Sequence, residues 1–219
     1  MKRLLDSLAF ASLRHREQRR KGERGAPYIN HLIEVAQVLS MHGVADEEVL
    51  CAAVLHDTVE DAEVSLADLR QRFGNRIASL VEEVTDDPRL PIWERKMRQV
   101  EGAGKLSSDA QCIRVADKIS NLRGILTSPP PLWSWERKKA YYRWAKQVVA
   151  GCALAPAPLR RTFDDVYAAG LMALEVMRDS RGSAPRDEGS TSSRRPDVGN
   201  ALTPCVEVTT PGAPGPLDS

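Results

Sequence analysis

Apolar residues recur along this chain at helical spacing, three and four apart, and no run alternates apolar and polar over the length of a strand between turn residues. Leu4, Leu5, Leu8, Ala9, Ala11 and Leu13 open a first helix that is expected to run to about Arg20 with a basic exit. Pro27 stands near the start of the next, a favoured place for proline, and Ile29, Leu32, Ile33, Val35, Ala36, Val38 and Leu39 carry that helix toward Gly43. Asp46 is placed to cap a third helix that continues through Ala52-Ala53-Val54-Leu55-His56-Asp57-Thr58-Val59-Glu60-Asp61. Ser65-Leu66-Ala67-Asp68 reads as a capping box for a short helix ending at Gly74. Further helical patterns cover roughly 75–85, 92–101, 107–126, 132–150 and 157–180. The pattern predicts an all-α fold.

The chain has 219 residues, 42% of them hydrophobic, enough for one sizeable core. We expect a single helical domain over 1–180. From 181 to 219 there is no aromatic residue, and Pro, Gly, Ser and Thr dominate, so this segment is expected to be a disordered tail, with Val206-Glu207-Val208 its only strand-like stretch. A formal net charge of +1 gives no whole-chain reason to expect nucleic-acid or membrane binding, and no apolar run approaches the roughly 20 residues of a membrane span. Met1-Lys2-Arg3-Leu4-Leu5-Asp6 is charged too soon for a signal-peptide core. The four cysteines, 51, 112, 152 and 205, form no Cys-x-x-Cys pair and read as reduced thiols of a cytoplasmic protein. Oligomeric state stays open, a homo-oligomer included.

Chemistry concentrates around His56-Asp57. On a continuous helix Glu60 lies one turn beyond His56, and Asp61 one turn beyond Asp57. Three carboxylates and an imidazole in a core-bound stretch are costly unless they are paired or bind a cation. His31 lies on a helix whose other inward positions are aliphatic, and Asp117 follows an apolar stretch, where an ion pair with Lys118 or Arg114 is the competing role. Asn121 shares the face of Asp117. Together His31, His56, Asp57 and Asp117 make a two-His, two-carboxylate set suited to Mn²⁺, Fe²⁺ or Zn²⁺, and the lack of a cysteine argues against a structural zinc site. His42 reads as a polar helix-end residue, and His15 as part of a basic surface.

The ordered set H…HD…D on helices resembles the HD superfamily of metal-dependent phosphohydrolases. His15-Arg16-Glu17-Gln18-Arg19-Arg20-Lys21, Pro27-Tyr28-Ile29-Asn30-His31, the His56–Asp61 stretch, Val84-Thr85-Asp86-Asp87, Glu94-Arg95-Lys96 and Ala116–Arg123 are similar to the hydrolase domain of RelA/SpoT homologues, and Trp133–Val149 to its end in small stand-alone members. The resemblance covers about 10–180. It implies a small alarmone hydrolase that removes the 3′ pyrophosphate of (p)ppGpp, usually with Mn²⁺, and so a guanine-nucleotide substrate. His31, His56, Asp57 and Asp117 would hold the metal, and Glu60 and Asp61 would assist proton transfer. Arg20, Lys21 and Asn121 would bind the nucleotide; Tyr28 would pack against the base or anchor its helix. Arg95 and Lys96 are second-rank phosphate contacts at best, more in keeping with a solvated helix face. Gly22, Leu32 and Gly124 depart from the residues usual in relatives, and Gly124 bears on substrate preference. A phosphatase acting on another ribose phosphate such as NADPH, and a non-catalytic nucleotide sensor, are the alternatives.

Overall fold

The computed structural model describes residues 1–22, 25–62 and 64–182. The expected tail, 181–219, lies outside them from 183 onward, and its first two residues continue the last helix. Ten α-helices follow in order: α1 (Lys2–Arg14), α2 (Ile29–Met41), α3 (Glu47–Leu55), α4 (Thr58–Asp61), α5 (Leu66–Phe73), α6 (Asn75–Val84), α7 (Ile92–Gly102), α8 (Ser108–Thr127), α9 (Trp135–Gly151) and α10 (Ala157–Gly182). A 3₁₀ turn, Ala103–Lys105, links α7 to α8. Among the described residues the only extended pairing is an isolated bridge between Arg19 and Pro27. Among the described residues no helix is long and apolar enough to cross a membrane.

The expected caps form. Asp46 accepts from the amide of Glu48 at 2.9 Å. Ser65 and Asp68 exchange both bonds of a capping box at the start of α5. Helix α8 is the central post, packed by α2, α3, α6, α9 and α10. Residues Ala110 to Ser120 of α8 are buried without interruption. A helix enclosed on all sides has no solvent face on which to leave its charges, so Arg114, Asp117 and Lys118 are buried with the rest. Helix α3 contributes Val49 and Cys51 to Leu55, all fully or nearly fully buried, between α1, α2, α6 and α8. Truncating a side chain such as Leu55 or Leu122 to alanine in such a core costs about 2–5 kcal/mol.

Two helices differ from the sequence expectation, and both differences shape the site. Helix α1 stops at Arg14 rather than Arg20. The following segment instead pairs with the approach to α2: the amide of Tyr28 donates to the carbonyl of Gln18 at 3.0 Å, and that of Arg20 to Ala26 at 2.8 Å. Arg20 and Lys21 therefore sit on a loop held against the domain. The third helix breaks at His56-Asp57, where α3 ends and α4 begins. The Thr58 hydroxyl donates to the carbonyl of Leu55 at 2.7 Å, taking up a backbone acceptor freed by the break.

Candidate metal centre and active site

The break presents His56 and Asp57 side by side at the junction of α3 and α4, facing His31 from α2 and Asp117 from α8. His31, His56 and Asp117 are 2%, 4% and 7% exposed. One ligand atom from each of these three lies within 4.8 Å of the others. Asp57 completes the group: its Oδ2 is 3.1 Å from His56 Nε2 and 3.6 Å from His31 Nε2. Asp117 Oδ1 lies 3.3 Å from His31 Nε2 and 3.8 Å from His56 Nε2.

The far side of each imidazole fixes its tautomer. His56 Nδ1 donates to the carbonyl of Ala53 at 2.8 Å, an atom that can only accept. The Ser120 hydroxyl donates to Glu34 at 2.7 Å, so at its 2.8 Å contact with His31 Nδ1 it accepts. In both neutral rings the lone pair is therefore on Nε2. Both Nε2 atoms are buried without a hydrogen-bond partner. With the rings neutral, two lone pairs and two carboxylates converge, a donor set with backing bonds that suits a divalent cation. The same field shows in the titration of the groups. Burial opposes the charged form of His56, but Asp57 and Asp117 outweigh it and raise its pKa well above the ordinary value. Burial likewise pushes Asp57 and Asp117 up, and is outweighed by His56 and His31 for the first and by Lys118 and both histidines for the second, so both fall well below the carboxylate range.

Asp117 makes the ion pair its sequence context suggested and still turns an oxygen toward the histidines. Lys118 donates to its Oδ2 at 2.8 Å, while Oδ1 faces the histidines. The Asn121 amide donates to Oδ1 at 2.6 Å and accepts from Arg20 at 3.0 Å, so a single chain of bonds runs from the cluster to the loop cation. Tyr28 anchors its helix: its hydroxyl donates to Asp57 Oδ2 at 2.7 Å and its ring is buried, away from the cavity lining.

Glu60 and Asp61 are held from opposite sides. Glu60 accepts from the backbone amide of Asp86, in the loop between α6 and α7. Asp61 accepts from the side chain of Gln18 at 3.0 Å, in the loop between α1 and α2. Burial, then Asp86 and Asp57, push the Glu60 carboxyl up to about 8. Burial and Asp57 push Asp61 up to about 7.

A cavity of about 400 Å³ opens beside His31. Arg20, Lys21, Asn121 and Arg123 line its polar side, and Ile125, Pro130, Trp133 and Tyr141 its apolar side. Cations and aromatic rings lining one cavity, with Glu34 the one carboxylate among them, suit a ligand with both phosphates and a planar ring. Two glycines shape this cavity. A Cβ on Gly22 would lie 2.2 Å from the carbonyl oxygen of Ser128, so only glycine lets the Arg20–Lys21 loop close on the end of α8. A Cβ on Gly124 would lie 2.9 Å from Arg20 Nη2, so its absence gives the guanidinium room against α8.

Several readings of the sequence need correction. His15 is not on a basic surface: it is 2% exposed, stacked on Tyr28 with ring centroids 5.2 Å apart. Lys96 is not on a solvated face; it is buried, its Nζ 4.6 Å from the centroid of Trp144. Arg95 is half-buried. His42 does end its helix, bonded to Val38 and Thr162. Sequence reasoning missed Glu34 and Ser120, although each lies three residues from a ligand candidate on the same helix, and it missed the aromatic wall.

Comparison with known proteins gives the family. The HD domain family profile matches residues 7–149. The chain is 48% identical over 149 residues to guanosine-3′,5′-bis(diphosphate) 3′-pyrophosphohydrolase MESH1 of Homo sapiens, covering 68% of this chain and 83% of the relative. It is 42% identical over 166 residues to the Drosophila melanogaster protein of the same name, covering 75% and 93%. A solved structure described as a metazoan ortholog of SpoT that hydrolyzes ppGpp superposes with a TM-score of 0.75 at 40% identity, covering 77% of this chain and 96% of that one. The chain belongs to the HD-domain family, in its RelA/SpoT-related branch alongside the MESH1 proteins.

Proposed function

We propose that residues 1–180 form a metal-dependent hydrolase that removes the 3′ pyrophosphate of (p)ppGpp, giving GDP or GTP and pyrophosphate. The observation that carries the reading is the pair of partnerless Nε2 atoms of His31 and His56, converging with Asp57 and Asp117 beside a cavity lined by cations and aromatics. The names of the relatives supply the substrate.

His31, His56, Asp57 and Asp117 would hold the ion, for which we propose Mn²⁺. A divalent cation there would lower the pKa of water and withdraw charge from phosphoryl oxygens. The chain's own residues do the rest. Ser120 and Glu34 aim His31; the Ala53 carbonyl aims His56; Tyr28 and Lys118 hold the carboxylates. Arg20 and Lys21 bind the phosphates, Asn121 joins them to the cluster, and Trp133 and Tyr141 offer the base an aromatic face. The oxygen of a water adds to the phosphorus carried on O3′, one of its protons passes to one carboxylate of the Glu60–Asp61 pair, the P–O3′ bond breaks, and O3′ takes up a proton from the other, held as the acid, to leave as the ribose hydroxyl. Glu60 and Asp61, with pKa values pushed to about 8 and about 7 by burial and neighbouring carboxylates, are matched to exchanging protons near neutral pH. The proposed setting is the cytoplasm, in keeping with the free buried thiols of Cys51, Cys112 and Cys152.

The test incubates purified protein and Mn²⁺ with (p)ppGpp and, separately, NADPH, and resolves products by ion exchange. Pyrophosphate with GDP or GTP is expected. NADH and inorganic phosphate as the faster reaction would move the substrate assignment, and no turnover of either would remove the enzymatic one.

A further inference from the structure

A histidine outside the ligand set is buried close to it, stacked on the Tyr28 ring that contacts His31. His15 caps the end of α1 and is 2% exposed. Its Nδ1 is bonded to Gln18 Oε1, and its Nε2 is buried without a partner. The amide of Gln18 then donates from Nε2 to Asp61 Oδ2 at 3.0 Å. With Asp61 ionised, turning the amide over would set its carbonyl against a carboxylate, so in that state the contact fixes the amide and puts the imidazole proton on Nδ1. The same ring stacks on Tyr28, interplanar angle 30°, and the Tyr28 hydroxyl holds Asp57. One imidazole thus braces Asp57 and Asp61, the residues at the two ends of α4.

Helix α4 is four residues long and too short to hold its own acid groups in place. A phenylalanine would fill the His15 site without leaving a buried nitrogen unsatisfied. The polar ring earns its position through the bond it makes. We propose that His15 is a positioning residue for hydrolysis: its Nδ1–H orients the Gln18 amide, which holds the Asp61 carboxylate in a single orientation. This rests on the reading of Asp61 as a proton-transfer group.

The test uses the full chain loaded with Mn²⁺ and measures kcat and KM for ppGpp, manganese content and Tm. His15→Phe keeps the stacked ring and loses the donor; kcat is expected to fall about tenfold to a hundredfold, part of what general acid–base groups contribute, with KM and manganese content unchanged. His15→Asn sets an amide N–H near the Nδ1 position and is expected to recover most of that loss. Gln18→Leu, at a partly exposed position, is expected to match His15→Phe, and the double variant to lose no more than either. Parental kcat in His15→Phe or Gln18→Leu, or His15→Asn no better than His15→Phe, overturns the proposal. So does a loss of manganese in place of kcat. Should the His15 variants fail to fold, Gln18→Leu decides alone. An active parent with an unchanged Gln18→Leu sinks only this inference; a parent inactive on ppGpp sinks the functional reading with it.

Discussion

Lys118 donates to one oxygen of Asp117 at 2.8 Å and leaves the other oxygen turned toward the histidines. Both side chains are buried in the central helix. Removing one member of a buried pair strands the other charge, at a cost of about 3–5 kcal/mol. Lys118→Met is therefore expected to destabilise the chelated, metal-free protein by about that amount in urea unfolding. A loss within the scatter of surface substitutions would show that Asp117 does not depend on the lysine.

Ser120 and Glu34 come from different helices, 86 residues apart, yet form one chain of bonds to His31. Residues backing a metal ligand typically set about 10–100-fold in affinity. Ser120→Ala and Glu34→Gln are expected to weaken Mn²⁺ binding within that range by calorimetry, with the helical circular dichroism retained. Parental affinity in both would mean that His31 is oriented by packing alone.

Glu60 sets the sign of a pH effect in the metal-free protein. Its carboxyl is raised to about 8 in the fold by burial, Asp86 and Asp57, so the folded state binds the proton more tightly than the unfolded chain does. That stability is present in full at low pH and is lost as pH rises toward about 8. The raised pKa of His56 acts in the same direction. Asp57 and Asp117, lowered in the fold, lose their contribution only below the ordinary carboxylate range, outside this window. The melting temperature in chelator is expected to fall from pH 6 to pH 9, and Glu60→Gln to flatten that fall. An equal slope in the variant would contradict the burial of the Glu60 charge.

The two cavity glycines are expected to respond differently. At Gly22 a methyl group meets the Ser128 carbonyl, which belongs to the backbone and cannot swing away. At Gly124 it meets only the end of the Arg20 side chain. Gly22→Ala should lower Tm and raise KM for ppGpp, whereas Gly124→Ala should raise KM severalfold with Tm and kcat preserved. Equal loss of Tm in the two would show that the loop contact is not what demands glycine at 22.

Most helices were legible because burial of apolar stripes forms them, and the Asp46 and Ser65 caps were legible because their chemistry is local. The break at His56-Asp57 was not: the apolar and acidic spacing runs straight through it, and the bonds that accommodate it lie within the turn itself. The candidate ligands were found because four hydrophilic side chains stood in core-bound stretches. The burial of His15 and Lys96 left no such mark, since Tyr28, Gln18 and Trp144 enclose them from elsewhere in the chain. Sequence also could not separate Glu60 from Asp61, which differ in the loops that grip them, not in their own surroundings along the chain.

The central claim is that the Nε2 atoms of His31 and His56, with Asp57 and Asp117, hold the ion on which hydrolysis depends. Titrating chelated protein with Mn²⁺ while following ppGpp turnover tests it most directly, with the parent and His56→Ala side by side. Tight binding and turnover are expected to rise together in the parent, and both to be lost in a folded His56→Ala. A His56→Ala protein that still binds Mn²⁺ as tightly and still releases pyrophosphate would contradict it.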